Sequence, residues 1–253
     1  MTRRAAVPAP PAKLFLAAFF LQSAWNYERQ QGIGFAAALA GTVGRLGIAG
    51  AERARFLRRH LRSFNTNPVM APWVIGAVAR LESNRARDGS PDEDGIDRLK
   101  TALSIHLARI GDSIVWSGVR PLASAVGIVL ALAGAAWVAA AVYWVLYNAV
   151  QVPLRVAGLW IGYREGAAVT ARLVSPKWNR VLGSIRAAGA VVSGVGAGLL
   201  AARAAAHGVG TLTVAFVAGG AAVLVLERRR GGATGVALVV LVVTAVLAAV
   251  GLR

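Results

Sequence analysis

Apolar runs and polar interruptions alternate along this chain, and the run lengths decide which elements it can form. Residues 233–252 are almost wholly apolar and carry no charge, and about 20 such residues cross a hydrocarbon core of roughly 30 Å. Residues 211–226 form a shorter run, joined to it through Arg228, Arg229 and Arg230, a basic turn that belongs on the cytoplasmic side. Residues 181–202 form a third, interrupted by Arg186, with Gly194 and Gly198 at a spacing that lets helices approach closely. Residues 122–150 form a fourth, bounded by Arg120 with Pro121 and by Pro153 with Arg155, long enough to span with tilt.

The N-terminal half has a different rhythm. Residues 14–21 and 33–39 are each too short to span, and they flank the polar stretch SAWNYERQQ as a broken or re-entrant hairpin would. Residues 52–62, ERARFLRRHLR, place five arginines and His60 around Phe56, Leu57 and Leu61, the pattern of a cytoplasmic or membrane-surface helix. His60 there reads as a solvated or helix-packing imidazole. Residues 88–97, DGSPDEDGID, hold five of the eleven acids with Gly and Pro and read as a solvated loop. The expected division is therefore 1–87, 88–97, 98–180 and 181–253.

If residues 52–62 and the basic stretch 164–180 are both cytoplasmic, an even number of crossings separates them. Residues 122–150 supply one. The second would come from the polar stretch that starts at Leu99 and carries His106, Arg109, Asp112 and Arg120, which can cross only with its polar face covered or wet. Alternatively this stretch stays cytoplasmic and 122–150 is a re-entrant hairpin.

Composition supports the same class. With 57% hydrophobic residues, 29 glycines and a mean hydropathy of +0.58, the chain reads as an all-α, polytopic helical membrane protein with about four to five spans and broken or re-entrant helices in its N-terminal half. The net charge of +17 is spread between apolar spans, which fits a bilayer with an anionic inner surface and not nucleic acid. The chain has no cysteine, so disulfides, thiolate metal sites and thiol catalysis are excluded. No P-loop is present, since GTVGRLGIAG is a glycine-containing helix end, and no catalytic, metal or cofactor motif is expected. Residues 1–13 read as a mature cytoplasmic tail.

Four blocks carry a resemblance: QSAWNYERQQGIGF, RRHLRSFNTNPVMAPWVIGAVARLE, IGDSIVWSGVRPL and YNAVQVPLRVAGLWIGYREG. Together they resemble the IID membrane component of the mannose, fructose and sorbose family of bacterial phosphotransferase-system sugar permeases. The resemblance implies an inner-membrane, multi-pass subunit with a cytoplasmic N-terminus. It implies pairing with a IIC chain in a hetero-oligomer that moves a hexose-type sugar, while cytoplasmic IIA and IIB proteins carry the phosphoryl group. The chain departs from the family's Met-Gly-Pro-Leu-Ala-Gly at Ser104, Ile105, His106, Leu107, Ala108 and Arg109, has Gln30 where methionine is commoner, and is shorter between Ala202 and Thr211. A non-transporting regulatory or scaffold relative is the alternative those departures raise.

Sugar recognition requires hydrogen-bonding forks and an aromatic face against the ring. Trp25, Asn26, Glu28 and Arg29 supply that set in one segment; Asn65 and Asn67 add amides before Pro68; Asp112 and Trp116, four apart, share a helical face. Each has a structural alternative: Glu28 with Arg29 as charge neutralisation at the partner interface, Trp25 and Trp116 as interfacial anchors, Asn65 as a helix cap.

Overall fold

The computed structural model describes residue 10 and residues 12–206, the stretch 197–206 as backbone only. The described residues are helical, with no strand; the β-type pairing consists of two isolated bridges, Asn26 with Gln30 and Gln30 with Phe64. The chain divides into two compact units, residues 1–121 with 144–186, and residues 122–143 with 187–253.

In the first unit, α1 (Ala12–Phe19) and α2 (Gly32–Ala40) are the two short apolar runs, and they pack together across the polar turn between them. Contact is close because a Cβ on Gly34 would meet the Leu21 backbone carbonyl. After α3 (Val43–Leu46), closed by Gly47 at φ 69°, comes α4 (Gly50–His60), the arginine helix. Its apolar side buries Phe56, while Arg53, Arg55 and Arg58 stay exposed.

Helix α5 (Ala71–Asp88) is the centre of this unit. Pro72 presets its first turn, Gly89 ends it at φ 73°, and the run from Ala71 to Ala79 is buried on all sides. A helix apolar all round has no solvent face, and α1, α2, α3, α6 and the 3-10 turn Gly166–Val169 pack around it. Next, α6 (Glu93–Gly111) begins with Asp92 as a cap, its Oδ1 accepting the Gly95 amide at 2.8 Å. The acidic stretch expected as a loop is thus mostly helix start. Only residues 89–92 connect, and Glu93 and Asp94 sit in the first turn, where carboxylates favour the positive end of the helix dipole.

A π-helical segment, Asp112–Val119, follows α6 and passes into α7 (Arg120–Leu132); then come α8 (Ala136–Glu165), α9 (Thr170–Leu173) and α10 (Lys177–Ala206). The part of α8 in the first unit packs on α5 through glycines. A Cβ on Gly162 would meet the Trp73 carbonyl, and one on Gly158 its indole ring. Trp73 Nε1 also donates to the Leu154 carbonyl at 3.2 Å, one residue past Pro153.

In the second unit, residues 133–135 form a turn with Gly134 at φ 88°. The expectation of one tilted span over 122–150 is corrected here: the run is two helices joined by that turn. Hydropathy missed it because the turn residues, Ala133, Gly134 and Ala135, are as apolar as the helices. Among the described residues two helical runs, Glu93–Leu132 and Ala136–Leu173, are long and apolar enough to cross a membrane. Residues 181–202 lie in α10, and a Cβ on Gly194 would touch nothing within 4 Å. The expected spans 211–226 and 233–252, with the basic turn between them, lie outside the described residues.

Candidate functional site

The polar turn after α1 is built by its own side chains. Asn26 Oδ1 accepts the Arg29 amide at 2.8 Å, and the Asn26 and Gln30 backbones pair, with Gln30 N to Asn26 O at 2.8 Å. Gln30 closes the turn at φ 52°, in the left-handed region. The oxygen of the Asn26 amide is therefore committed to the backbone. Around the turn, Trp25 and Tyr27 stack edge to face at 5.0 Å and point outward, with Glu28 81% exposed and its carboxylate 3.6 Å from Arg29.

This turn is docked onto the FNTNP segment. Gln31 N donates to the Phe64 carbonyl at 2.9 Å. The buried Gln31 side chain imitates another strand residue, donating to the Thr66 carbonyl at 2.8 Å and accepting the Thr66 amide at 3.1 Å. Thr66 Oγ1 in turn donates to the Ser104 carbonyl on α6 at 2.8 Å. Sequence reasoning missed Gln31 and Thr66; a glutamine in a polar run carries no signal that it will be buried.

Asn65 is exposed and caps nothing. Asn67 instead holds the turn that leads into α5: its carbonyl receives the Met70 and Ala71 amides at 2.9 Å, and its Oδ1 receives the Val69 amide at 3.0 Å. With that oxygen committed, Nδ2 donates to Asp112 Oδ1 at 2.9 Å, where the π-helical segment begins. Gly111 makes the approach possible, since a Cβ there would collide with Asn67. Asp112 is exposed, and so is Trp116, which lies under the Arg120 guanidinium at 5.1 Å. The structure thus joins Asn67 to Asp112 directly and ties the turn 26–31 to them through Thr66. Among the described residues, no hydrogen bond or ion pair joins Glu28 or Arg29 to Asp112.

The departing segment 104–109 forms an unbroken part of α6. Ser104 and Leu107 face inward, His106 and Arg109 outward, so the larger groups cause no collision within this chain.

A second polar cluster was not anticipated. Arg59 Nη2 meets Glu82 Oε1 at 2.5 Å, and His60 Nε2 meets the same oxygen at 2.9 Å, all three side chains buried. His60 Nδ1 has no partner among the described residues, so Nε2 carries the proton and donates. Burial pushes the His60 pKa below its ordinary 6.5 and outweighs the upward pull of the Glu82 hydrogen bond. Beside it, Lys100 Nζ reaches the His60 carbonyl at 3.5 Å and lies 4.4 Å over the Phe35 ring. No group of three or more His, Asp or Glu among the described residues is arranged to hold a metal ion.

Comparison with known proteins gives these residues a context. A family model described as "PTS system mannose/fructose/sorbose family IID component" matches residues 11–206. The mannose-specific EIID component of Escherichia coli K12 is 34% identical over 154 residues, 60% of this chain and 54% of that protein. The sorbose-specific EIID component of Lacticaseibacillus casei is 35% identical over 158 residues, 62% of this chain and 55% of its own. The fructose permease IID component of Bacillus subtilis is 31% identical over 156 residues, covering 62% and 56%. The chain spans about half the length of these curated relatives. Among solved structures, a chain of the mannose transporter ManYZ in complex with microcin E492 aligns with a TM-score of 0.60 and 28% identity, covering 76% of this chain and 71% of that one. A second, described only as a membrane protein, aligns with a TM-score of 0.67 and 28% identity, covering 75% and 70%.

Proposed function

The chain belongs to the mannose/fructose/sorbose-family IID components of the phosphotransferase system, membrane components of sugar permeases, and we propose that it builds a sugar-translocation unit together with a IIC partner. The observation that carries the reading is the Asn67–Asp112 pair. An amide fixed from both ends orients a carboxylate at an outward face, beside Trp116 and at the start of a π-helical segment, a feature common at functional sites. Among the described residues only Oδ1 of that carboxylate is engaged, which leaves Oδ2 to accept from a sugar hydroxyl. A partner chain covering this face supplies the rest of the pocket and the water-excluding wall.

In this reading the two helical runs cross the inner membrane with Gly134 on the far side, which keeps residues 52–62 and 164–180 both cytoplasmic. The protein is multi-pass with its N-terminus inside and works by alternating access with the partner. Phosphoryl transfer belongs to IIA and IIB proteins, and the sealed setting of His60 supports this, since a carrier must meet its donor. A non-transporting relative would need segment 104–109 to disable the site; its unbroken helix and the Thr66 to Ser104 bond favour transport.

Co-expression tests the pairing. The chain with a IIC partner should purify as a defined complex that binds a hexose, and the chain alone should aggregate or be degraded. A well-behaved solitary monomer, unchanged in stability on adding the partner, would contradict it.

A further inference from the structure

Helix α4 turns Glu52, Arg55, Phe56 and Arg59 to one face by their spacing of three and four residues. That face lines a cavity of about 70 Å³ together with Glu82 and Arg85 of α5 and Glu93 at the start of α6, room for several waters or one small oxyanion. Arg59 is the unusual member. Its side chain is only 6% exposed; Nη2 is bound to Glu82, while Nη1 stands 3.3 Å from Glu93 without hydrogen-bond alignment. Its Nε and Nη1 are buried and have no hydrogen-bond partner among the described residues, and a buried donor left unmade is costly.

Two of the three carboxylates that line the cavity are engaged, while Glu52 on the α4 face has no hydrogen bond or ion pair to any described residue and does not reach the Arg59 donors. Glu82 receives Arg59 and His60, and Glu93 receives Arg85 at 2.6 Å. Arg55 stands exposed at the rim, with no hydrogen bond or ion pair to any described residue. Helix α4 itself sets four arginines, 53, 55, 58 and 59, against the single acid Glu52, while the cavity lining balances Arg55, Arg59 and Arg85 against Glu52, Glu82 and Glu93. Free donors on one buried and one exposed guanidinium fork call for an acceptor that offers several oxygens at once, and phosphate geometry matches such forks.

We propose that this cavity binds a phosphate group, held by Arg59 and Arg55, with Arg85 released from Glu93 to close on it. The group comes either from free phosphate or from an anionic lipid headgroup at the membrane surface; the two share this chemistry.

The test uses the full chain, purified in the membrane assembly in which it is expressed. Thermal unfolding is followed against inorganic phosphate, with chloride at matched ionic strength as control, in nanodiscs of phosphatidylcholine alone or with phosphatidylglycerol. Phosphate, and not chloride, should raise the midpoint. Arg55→Gln breaks no pair in the protein and should weaken the apparent phosphate affinity about tenfold, the loss of one charge-assisted hydrogen-bonding group. Glu93→Gln removes the competitor for Arg59 and Arg85 and should tighten it. Stabilisation by phosphate in phosphatidylcholine assigns the free ion. Stabilisation by phosphatidylglycerol, lost in Arg55→Gln, assigns the headgroup. No specific shift in either arm, or an identical response in wild type and Arg55→Gln, would overturn the proposal.

Discussion

Asn67 and Asp112 lie 45 residues apart in sequence and 2.9 Å apart at Nδ2 and Oδ1, and Asn67 is held for this by the Val69 amide on its other side-chain atom. The pair joins the buried entry of α5 to the point where α6 widens into a π-helical segment. A tether between a rigid element and an irregular one is a means of fixing a polar group without a rotamer search.

The approach of these two residues depends on Gly111. Its backbone is helical, so alanine there has no conformational objection, but the added Cβ meets Asn67 and Met70 side chains. Gly111→Ala should push Asn67 off Asp112, cost about 1–3 kcal/mol of stability, and reduce hexose binding in the assembled complex. Unchanged stability together with unchanged binding would show that the close approach is dispensable.

Glu82 neutralises the buried Arg59. Replacing it by glutamine keeps the shape and removes the charge, leaving the buried guanidinium with only the half-exposed Glu93, 3.3 Å from Nη1 and out of hydrogen-bond alignment. Glu82→Gln should destabilise the protein by about 3–5 kcal/mol, whereas Glu165→Gln, at an exposed pair with Arg172, should cost less than about 1 kcal/mol. Denaturant titration of the two variants compares them directly, and similar small losses would rule out a stabilising role for the buried charge.

His60 gives the fold a pH dependence of known sign. Its pKa is lowered by burial, so the unfolded chain binds this proton more readily than the folded one. The stabilisation is complete above the unfolded value of about 6.5 and is lost as pH falls below it toward the lowered folded value. Thermal midpoints measured from pH 7.5 down to 5 should drop in the wild type and drop less steeply in His60→Gln. Parallel curves would exclude His60 as the source.

The two hairpin helices and the arginine helix were legible in the sequence because run length and periodicity are local signals. The all-round burial of Ala71 to Ala79 at the start of α5 was less so, since an apolar stretch ending in Arg80, Glu82 and Arg85 reads equally as a surface helix. The start of α6 was misread because Ser90, Pro91 and Asp92 are both turn residues and a helix entry. At the site, the sequence pointed to Asn67 and Asp112 by residue type but could not pair them, because nothing local links positions 45 apart. It also offered Asn26 for a sugar contact, and the oxygen of that amide closes its own turn. The buried cluster joins Arg59 and His60 of the arginine helix to Glu82 of α5; the helix-packing reading of His60 holds, but the arginines around it looked solvated, and only tertiary packing turns one of them inward.

The proposed topology places the turn at Gly134 outside. The chain has no cysteine, so single cysteines report cleanly. Substitutions at Arg58 and Ser90 should label only from the cytoplasm, and one at Gly134 only from outside. Cytoplasmic labelling at position 134 would mean that the two helical runs form a re-entrant hairpin and do not cross.

The central claim is that this chain contributes Asp112 to a sugar site shared with a IIC partner, and calorimetric titration of the purified complex with candidate hexoses tests it most directly. Asp112→Asn keeps the size of the side chain while removing its charge, and should assemble as the wild type does. Loss of a charge-assisted hydrogen bond is worth about 1.5–3 kcal/mol, so affinity should fall roughly tenfold to a hundredfold or more. A correctly assembled Asp112→Asn complex that binds the hexose with unaltered affinity would contradict the account.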